Sequence, residues 1–209
     1  MALASLAIAC KGDDNDFDAA ALQPVLERSA LALADLPDDW SENAALAPPA
    51  AEPGEPIFGY CNQQLAATPA ASVQAGFQRT AQGPFVITAV RAFADDGATR
   101  FMEQMSDIAT ECRRWSQRDD RGTTSEWTLA PLPDASADGA VAFHVAVTYA
   151  DGLSQTSHVV LSHAGQFVTE LVHGARADVT VLDLALTQEL STIARERLEA
   201  AVSEASAGS

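Results

Sequence analysis

Three cysteines in two different settings place the strongest constraint on how this chain folds and where it does so. Cys10 ends a short apolar stretch, residues 3–9, and a polar, acidic segment follows it. Cys61 and Cys112 lie in the body of the chain, and the second falls on a predicted helix. A cysteine at an apolar N-terminus predicts a lipid anchor. The internal pair predicts a disulfide, which forms in oxidising compartments outside the cytoplasm.

The residues before Cys10 are similar to a bacterial lipobox, in which a signal peptidase cuts next to a cysteine that carries acyl chains. The small Ala9 suits cleavage, whereas Ala7 stands where leucine is usual. No Lys or Arg precedes Cys10, although a signal peptide begins with a basic region. We therefore expect that the true start lies upstream or that the leader was trimmed. The alternative is a frayed N-terminus with an unmodified cysteine.

Length and charge limit the organisation and the partners of the chain. Its 209 residues suit one domain with tails, and we expect a lipobox and polar tether over 1–18, one domain over 19–202 and a disordered tail over 203–209. The formal net charge is −17, from 12 basic and 29 acidic residues. Such a surface repels phosphate groups, so no nucleic-acid partner is expected. No stretch approaches the roughly 20 apolar residues of a membrane-spanning helix.

Hydrophobic periodicity predicts an α+β fold with an antiparallel sheet. Helical spacing covers 19–36 and about 181–202, and residues 84–93 have the β-branched and aromatic character of a strand. Residues 141–173 are typical of a three-stranded meander. The clearest helix follows Asp96, and its apolar stripe consists of Ala98, Phe101, Met102, Met105, Ile108, Ala109 and Cys112. We expect about five strands, with helices packed on one face and a candidate cleft on the other.

The register of the meander decides which side chains share a face. With two-residue turns at Asp151-Gly152 and Ala164-Gly165, His144 lies on one face and His158 on the other. On that register the face of His158 also carries Phe143, Val145, Val147, Val160, Phe167 and Leu171. The two histidines are therefore not expected to converge.

The internal cysteines and the histidines are the candidate site residues. A bridge between Cys61 and Cys112 closes a loop of about 50 residues and stabilises the fold by roughly 4 kcal/mol in the chain-entropy model. Two buried free thiols are the alternative. The four histidines lack the spacing of a zinc motif, and no cysteine joins them, so we expect no metal. We interpret the histidines instead as hydrogen-bonded polar residues or as residues in turns.

No motif in the sequence indicates catalysis or a cofactor. The nucleophile elbow, the Ser-x-x-Lys pair, the P-loop and the dinucleotide fingerprint are all missing. Asp95-Asp96 is explained by a helix cap and Asp119-Asp120 by an exposed loop. Arg113-Arg114 suits the C-terminus of a helix, whose dipole favours cations, and a patch for an anionic ligand is the alternative. We therefore predict no catalytic residue and no cofactor.

Several short motifs occur in an order that resembles one family. They are the segment 36–40 (LPDDW) after a short helix, Cys61 before the first predicted strand, and a strand ending at 90–93 (VRAF) that leads into the helix of Cys112. The segment 158–168 (HVVLSHAGQFV) then forms a late hairpin. The chain resembles, over about residues 20–200, the extracellular sensor domain of mycobacterial receptor Ser/Thr kinases (PknH-like) and of actinobacterial lipoproteins.

The resemblance implies an antiparallel sheet with packed helices and a cleft for a small ligand, and it implies no catalytic residues. We therefore expect an extracytoplasmic binding protein that is lipid-anchored to the cell membrane, or secreted, and is not an enzyme. Its partner would be an unknown small molecule or an envelope protein. Trp127, Tyr149 and His158 are the candidate ligand-binding residues. The alternatives are an envelope hydrolase that joins His144 or His158 to an acid, and a structural or scaffolding lipoprotein.

Overall fold

A computed structural model describes residues 19–47, 60–65, 67–119, 122–132, 139–178 and 180–207. Cys10 and the predicted tether lie outside these residues, so the lipid anchor stays a prediction. The helices are α1 (Ala19–Ser29), α2 (Gly97–Glu111) and α3 (Leu184–Ala207). The strands are β1 (Ser41–Glu42), β2 (Ala71–Gln78), β3 (Phe85–Ala92), β4 (Arg114–Arg118), β5 (Thr124–Pro131), β6 (Val141–Thr148), β7 (Ser154–Ala164) and β8 (Phe167–Arg176).

The strands form one antiparallel sheet in the order β1-β2-β3-β8-β7-β6-β5-β4. This confirms the α+β class and the antiparallel sheet, but the sheet has eight strands where about five were predicted. Two of the missed strands have weak sequence signals. In β4 four of the five side chains are exposed and polar, and β2 contains Gly76. A side chain at Gly76 would collide with the segment that crosses it, since a Cβ atom there would lie 2.6 Å from the carbonyl oxygen of Asn43. Among the described helices, none is long and apolar enough to cross a membrane.

Helices cover both faces of the sheet, whereas the sequence predicted them on one. We call the face under α2 the disulfide face; it carries Phe143, Val145, Val159, Leu161 and Val168. The opposite, histidine face lies under α1 and α3 and carries His144, His158, Val160, Leu171 and His173. The central strands are apolar on both sides, so each side needs its own cover.

The β6–β7 hairpin corrects the predicted register. Thr148 pairs with Ser154, so the connection has five residues, Tyr149 to Leu153, in place of a two-residue turn. Asp151 holds this loop by accepting a hydrogen bond from the Leu153 N–H over 3.0 Å. The register moves by one residue, and every side chain of β6 changes face. His144 therefore lies directly opposite His158 on the same face, contrary to the prediction.

The β7–β8 hairpin has the face assignment that the sequence predicted. The turn consists of Gly165 and Gln166, one residue later than predicted, so Ala164 pairs with Phe167 and Val160 with Leu171. This moves the pairing by two residues, which leaves the faces unchanged. In the same ladder His158 pairs with His173. Three of the four histidines consequently form a row across β6, β7 and β8.

Helix α3 begins and ends later than predicted. Val181, the predicted start, lies before the helix and is 93% exposed. At the other end the helix continues to Ala207, across residues 203–207 of the predicted disordered tail. Ala201 is buried in this last part of the helix, and Glu204 pairs with Arg28 of α1 at 3.7 Å. Packing against α1 explains the extra turns.

Candidate functional site

An open cleft of about 440 Å³ lies where the start of α3 meets the β2–β3 hairpin and the turn before β1. This α3 cleft falls within the range of volumes typical of small-ligand sites. The turn and the hairpin contribute Pro37, Asp39, Trp40, Arg79 and Pro84; β8 contributes His173; and the approach to α3 and its first turns contribute Thr180, Val181, Leu182, Asp183, Ala185, Leu186 and Glu189.

The wall formed by the turn is held in place by one backbone bond and one ion pair. The N–H of Trp40 donates to the carbonyl of Pro37 over 3.1 Å, which closes the turn that proline begins. Arg79 at the end of the hairpin pairs with Asp39. Trp40 itself is 6% exposed, and its ring lies 6.3 Å from the ring of His173.

Thr187 on α3 joins two histidines of the sheet in one hydrogen-bond cluster. Its Oγ1 lies 2.9 Å from Nδ1 of His158, 2.8 Å from Nδ1 of His173 and 3.1 Å from the carbonyl oxygen of Asp183. A carbonyl oxygen can only accept, and a hydrogen bond from the Thr187 hydroxyl to Asp183 uses its single proton. In that arrangement both histidines donate from Nδ1, and each neutral Nε2 is left as an acceptor.

Burial keeps the rings of the histidine row uncharged. It lowers the pKa of His173 to about 4, with a smaller contribution from His158, while Asp183 acts in the opposite direction. The pKa of His158 is lowered by burial and then by His144, and burial also lowers the pKa of His144. All three rings are therefore neutral at neutral pH.

The three predicted ligand-binding residues lie in different places. His158 is 8% exposed and lies behind His173, to which it is linked through Thr187. Trp127 is not in the lining of the α3 cleft; it lies on the disulfide face, stacked on Trp115 at 5.4 Å between ring centroids. Tyr149 lies in the β6–β7 loop, also outside the cleft lining, and is 38% exposed.

Sequence reasoning missed the residues that build the cleft. His173 was treated as one of four dispersed histidines, and Thr187 was not considered. The available signal was the LPDDW segment, which resembles a family motif and contributes both Pro37 and Trp40 to the wall. The observed register of β7 and β8, had it been assigned from the sequence, would have placed His173 beside His158.

The histidine row does not assemble a metal centre. Within the ranges described above, no group of three His, Cys, Asp or Glu side chains is placed to hold a metal ion. The ring centroids are 5.8 Å apart for His144 and His158 and 6.2 Å apart for His158 and His173. Because the Nδ1 atoms of His158 and His173 both point at Thr187, their Nε2 atoms point away from it.

The disulfide face has a different kind of polar cluster. The predicted bond between Cys61 and Cys112 is present. Nearby, Arg91 and Glu170 form a partly buried ion pair, and the hydroxyl of Tyr60 donates to Glu170 over 3.3 Å. Burial, and then the charge of Glu170, raise the pKa of Tyr60 well above 10.0. These side chains pair with one another, whereas Nε1 of Trp127 on the same face is buried without a hydrogen-bond partner among the described residues.

No family model matches the sequence, and no curated protein gives a significant match. The resemblance to the kinase sensor domain therefore stays a prediction.

Proposed function

We propose that this chain is an extracytoplasmic, lipid-anchored binding protein of the cell envelope, with a sensor-like and non-catalytic role. The α3 cleft is the observation that carries the proposal, because it combines apolar walls with a few polar groups in a volume suited to a small ligand. Its ligand is a small molecule or a short segment of an envelope protein.

The disulfide supports the compartment in this proposal. Disulfides persist in oxidising environments and are rare in the cytosol. Cys61 lies before the sheet core and Cys112 at the end of α2, so the bond ties that helix to the segment before β2. The lipid anchor at Cys10 would hold the same domain at the outer face of the membrane.

The geometry around Thr187 favours binding over hydrolysis. Thr187 is fully buried, and its hydroxyl proton is donated to the carbonyl of Asp183. His158 and His173 donate to this hydroxyl, so neither can withdraw its proton as a general base. The hydroxyl that both histidines contact is therefore not an activated nucleophile.

A pair of alanine substitutions on α3 tests the binding function. Ala185 lines the cleft and is exposed, so Ala185→Phe should fill the cleft without disturbing the core. Ala200→Phe places the same ring at an exposed position elsewhere on the helix and is the control. Ligand-observed NMR with a fragment set of cationic, neutral and anionic compounds should give hits with the wild-type chain. Ala185→Phe should remove them and Ala200→Phe should not.

Two results would contradict the binding function. One is the absence of hits with folded wild-type protein, which would favour a scaffolding role. The other is an equal set of hits for both phenylalanine variants. Release of acid or alcohol from generic ester substrates, lost in His173→Asn, would favour the hydrolase.

The intact, non-reduced mass of the protein isolated from membranes of its host tests the anchor. We expect loss of the residues before Cys10, gain of a diacylglycerol group, and two hydrogens fewer for the bond between Cys61 and Cys112. An unprocessed chain with three free thiols would contradict the proposed location.

A further inference from the structure

The ionisable groups that line the α3 cleft are mostly acidic. They are one guanidinium, Arg79, and three carboxylates, Asp39, Asp183 and Glu189, which leaves a net charge of −2 with His173 neutral. Arg79 already pairs with Asp39. Of the remaining two carboxylates, Asp183 uses one oxygen to accept hydrogen bonds from the N–H groups of Ala185 and Leu186, at 2.9 and 3.4 Å.

Deep in the cleft, His173 offers an acceptor and no donor. It is 1% exposed, and its Nδ1 is engaged by Thr187. Its Nε2 has no hydrogen-bond partner among the residues that the structure describes. With Nδ1–H directed at Thr187, Nε2 carries a lone pair that only an N–H or O–H group can satisfy. A carboxylate or phosphate oxygen would face another acceptor there.

Apolar side chains make up the rest of the wall. Trp40 lies beside His173, and Leu186 projects from the first turns of α3. Val181 on the rim is 93% exposed, the highest value among the large hydrophobic residues described. A ligand that covers Val181 removes apolar surface from water, and the face of an indole attracts cations.

We propose that the α3 cleft binds a cationic amphiphile, in which an ammonium or guanidinium group is carried on an apolar body. This inference rests on the proposed binding function and names its ligand class. The cationic group donates to Nε2 of His173 and lies within the field of Asp183 and Glu189. The apolar body packs on Trp40, Leu186 and Val181. The acceptor at Nε2 and the two carboxylates disfavour an anion of the same shape.

Three compounds of similar shape test the charge preference. Phenethylamine is cationic, 2-phenylethanol is neutral and 3-phenylpropionate is anionic, and all carry a phenyl ring on a short chain. We expect the amine to bind about tenfold more tightly than the alcohol, measured by ligand-observed NMR titration. The anion should not bind detectably. Salt should weaken the preference for the amine, because the carboxylates are exposed to solvent.

Glu189→Gln and Glu196→Gln distinguish the effect of the charge at the cleft from the effect of the negative net charge of the chain. Both glutamates are exposed on α3, but only Glu189 lines the cleft. We expect Glu189→Gln to weaken the amine about threefold and to leave the alcohol unchanged. Glu196→Gln should change neither affinity. Equal effects of the two substitutions would mean that the preference comes from the net charge of the chain.

The possible outcomes distinguish this inference from the binding function beneath it. If the alcohol or the anion binds as tightly as the amine, the ligand class is wrong and the binding function stands. If none of the three binds, the charge distribution of the fragment hits decides: an excess of cations supports the class, and no excess overturns it. If no fragment binds either, the proposed function itself fails.

Discussion

The two faces of the sheet place their polar groups differently. On the disulfide face, Tyr60, Arg91 and Glu170 are partly buried and pair with one another beside the bond from Cys61. On the histidine face, His173 is more deeply buried, one of its ring nitrogens has no partner among the described residues, and the ring lines a cleft.

We interpret this difference as one between a stabilising face and the proposed binding face. A buried polar group without a partner costs free energy, about 1–3 kcal/mol for a neutral group. On the disulfide face, Tyr60, Arg91 and Glu170 pair with one another, but Nε1 of Trp127 is buried without a partner among the described residues. On the histidine face, the ring of His173 lines the cleft, where water or a ligand can supply a donor to Nε2. The predictions below test this division.

Removal of the disulfide should have the largest effect on stability. The bond joins cysteines 51 positions apart, so the chain-entropy model gives a loss of about 4 kcal/mol for the double substitution Cys61→Ser with Cys112→Ser. Urea unfolding measures this loss. At a temperature where the variant is folded, its affinity for phenethylamine should stay within about twofold of the wild type. A parallel fall in affinity would show that the two faces are not independent.

Acid should destabilise the protein through the histidine face. The pKa of His173 is about 4 in the folded chain and 6.5 in its reference state, so the unfolded chain takes up the proton more readily. The stability that the neutral ring of His173 contributes is complete above pH 6.5. It is lost as the pH falls towards 4, by up to about 3 kcal/mol. His158, whose pKa is also lowered, adds to the slope. Urea unfolding at a series of pH values measures this dependence of stability on pH.

Two asparagine variants isolate the part of that slope that belongs to His173. His173→Asn keeps an N–H for Thr187 but cannot titrate, so stability should fall less between pH 6.5 and 4.5 than in the wild type. His163→Asn should leave the slope unchanged, because His163 is exposed and lies apart from the row. If the slope is the same in all three proteins, His173 is not a neutral buried ring.

Replacement of Thr187 by valine should have an intermediate effect. The two side chains have the same shape, but Thr187→Val leaves two buried imidazole N–H groups without an acceptor, at a cost of about 1–3 kcal/mol. Thr192→Val is the matched control, since Thr192 makes the same kind of bond to its helix but is exposed. Its loss should be below about 0.5 kcal/mol. Similar losses for both variants would mean that the hydrogen bonds of Thr187 to the two histidines do not stabilise the fold.

An exposed ion pair should have the smallest effect. Arg195 and Glu199 lie one turn apart on α3, and Glu199 is half exposed. Arg195→Ala should lower the free energy of unfolding by about 0.3–0.5 kcal/mol and leave ligand binding unchanged. A loss above about 1 kcal/mol would mean that the outer surface of α3 contributes as much as its buried side.

The sequence predicted the fold class because the apolar stripe of α2 and the alternation in β7 and β8 are strong local signals. It did not predict the row of histidines, since that depends on the length of the β6–β7 connection. Asp151-Gly152 is typical of a two-residue turn, but the strands end earlier, at Thr148 and Ser154. One residue of register changed the predicted separation of His144 and His158 into a direct pair.

The cleft was harder to predict than the sheet. Its walls come from positions 37–40, 79–84, 173 and 180–189, which no local pattern relates. Only the packing of α3 across the sheet brings these segments together. The disulfide was predicted correctly because the pairing of two cysteines requires no knowledge of register.

The most direct test of the histidine face is a long-range ¹H–¹⁵N NMR spectrum of the imidazole rings at neutral pH, with and without phenethylamine. The account predicts uncharged rings for His158 and His173 with the proton on Nδ1. It also predicts a shift of the Nε2 resonance of His173 on addition of the amine, with no change at His163. A charged ring or an Nε2–H tautomer at His173, or an unchanged Nε2 in the presence of bound amine, would contradict it.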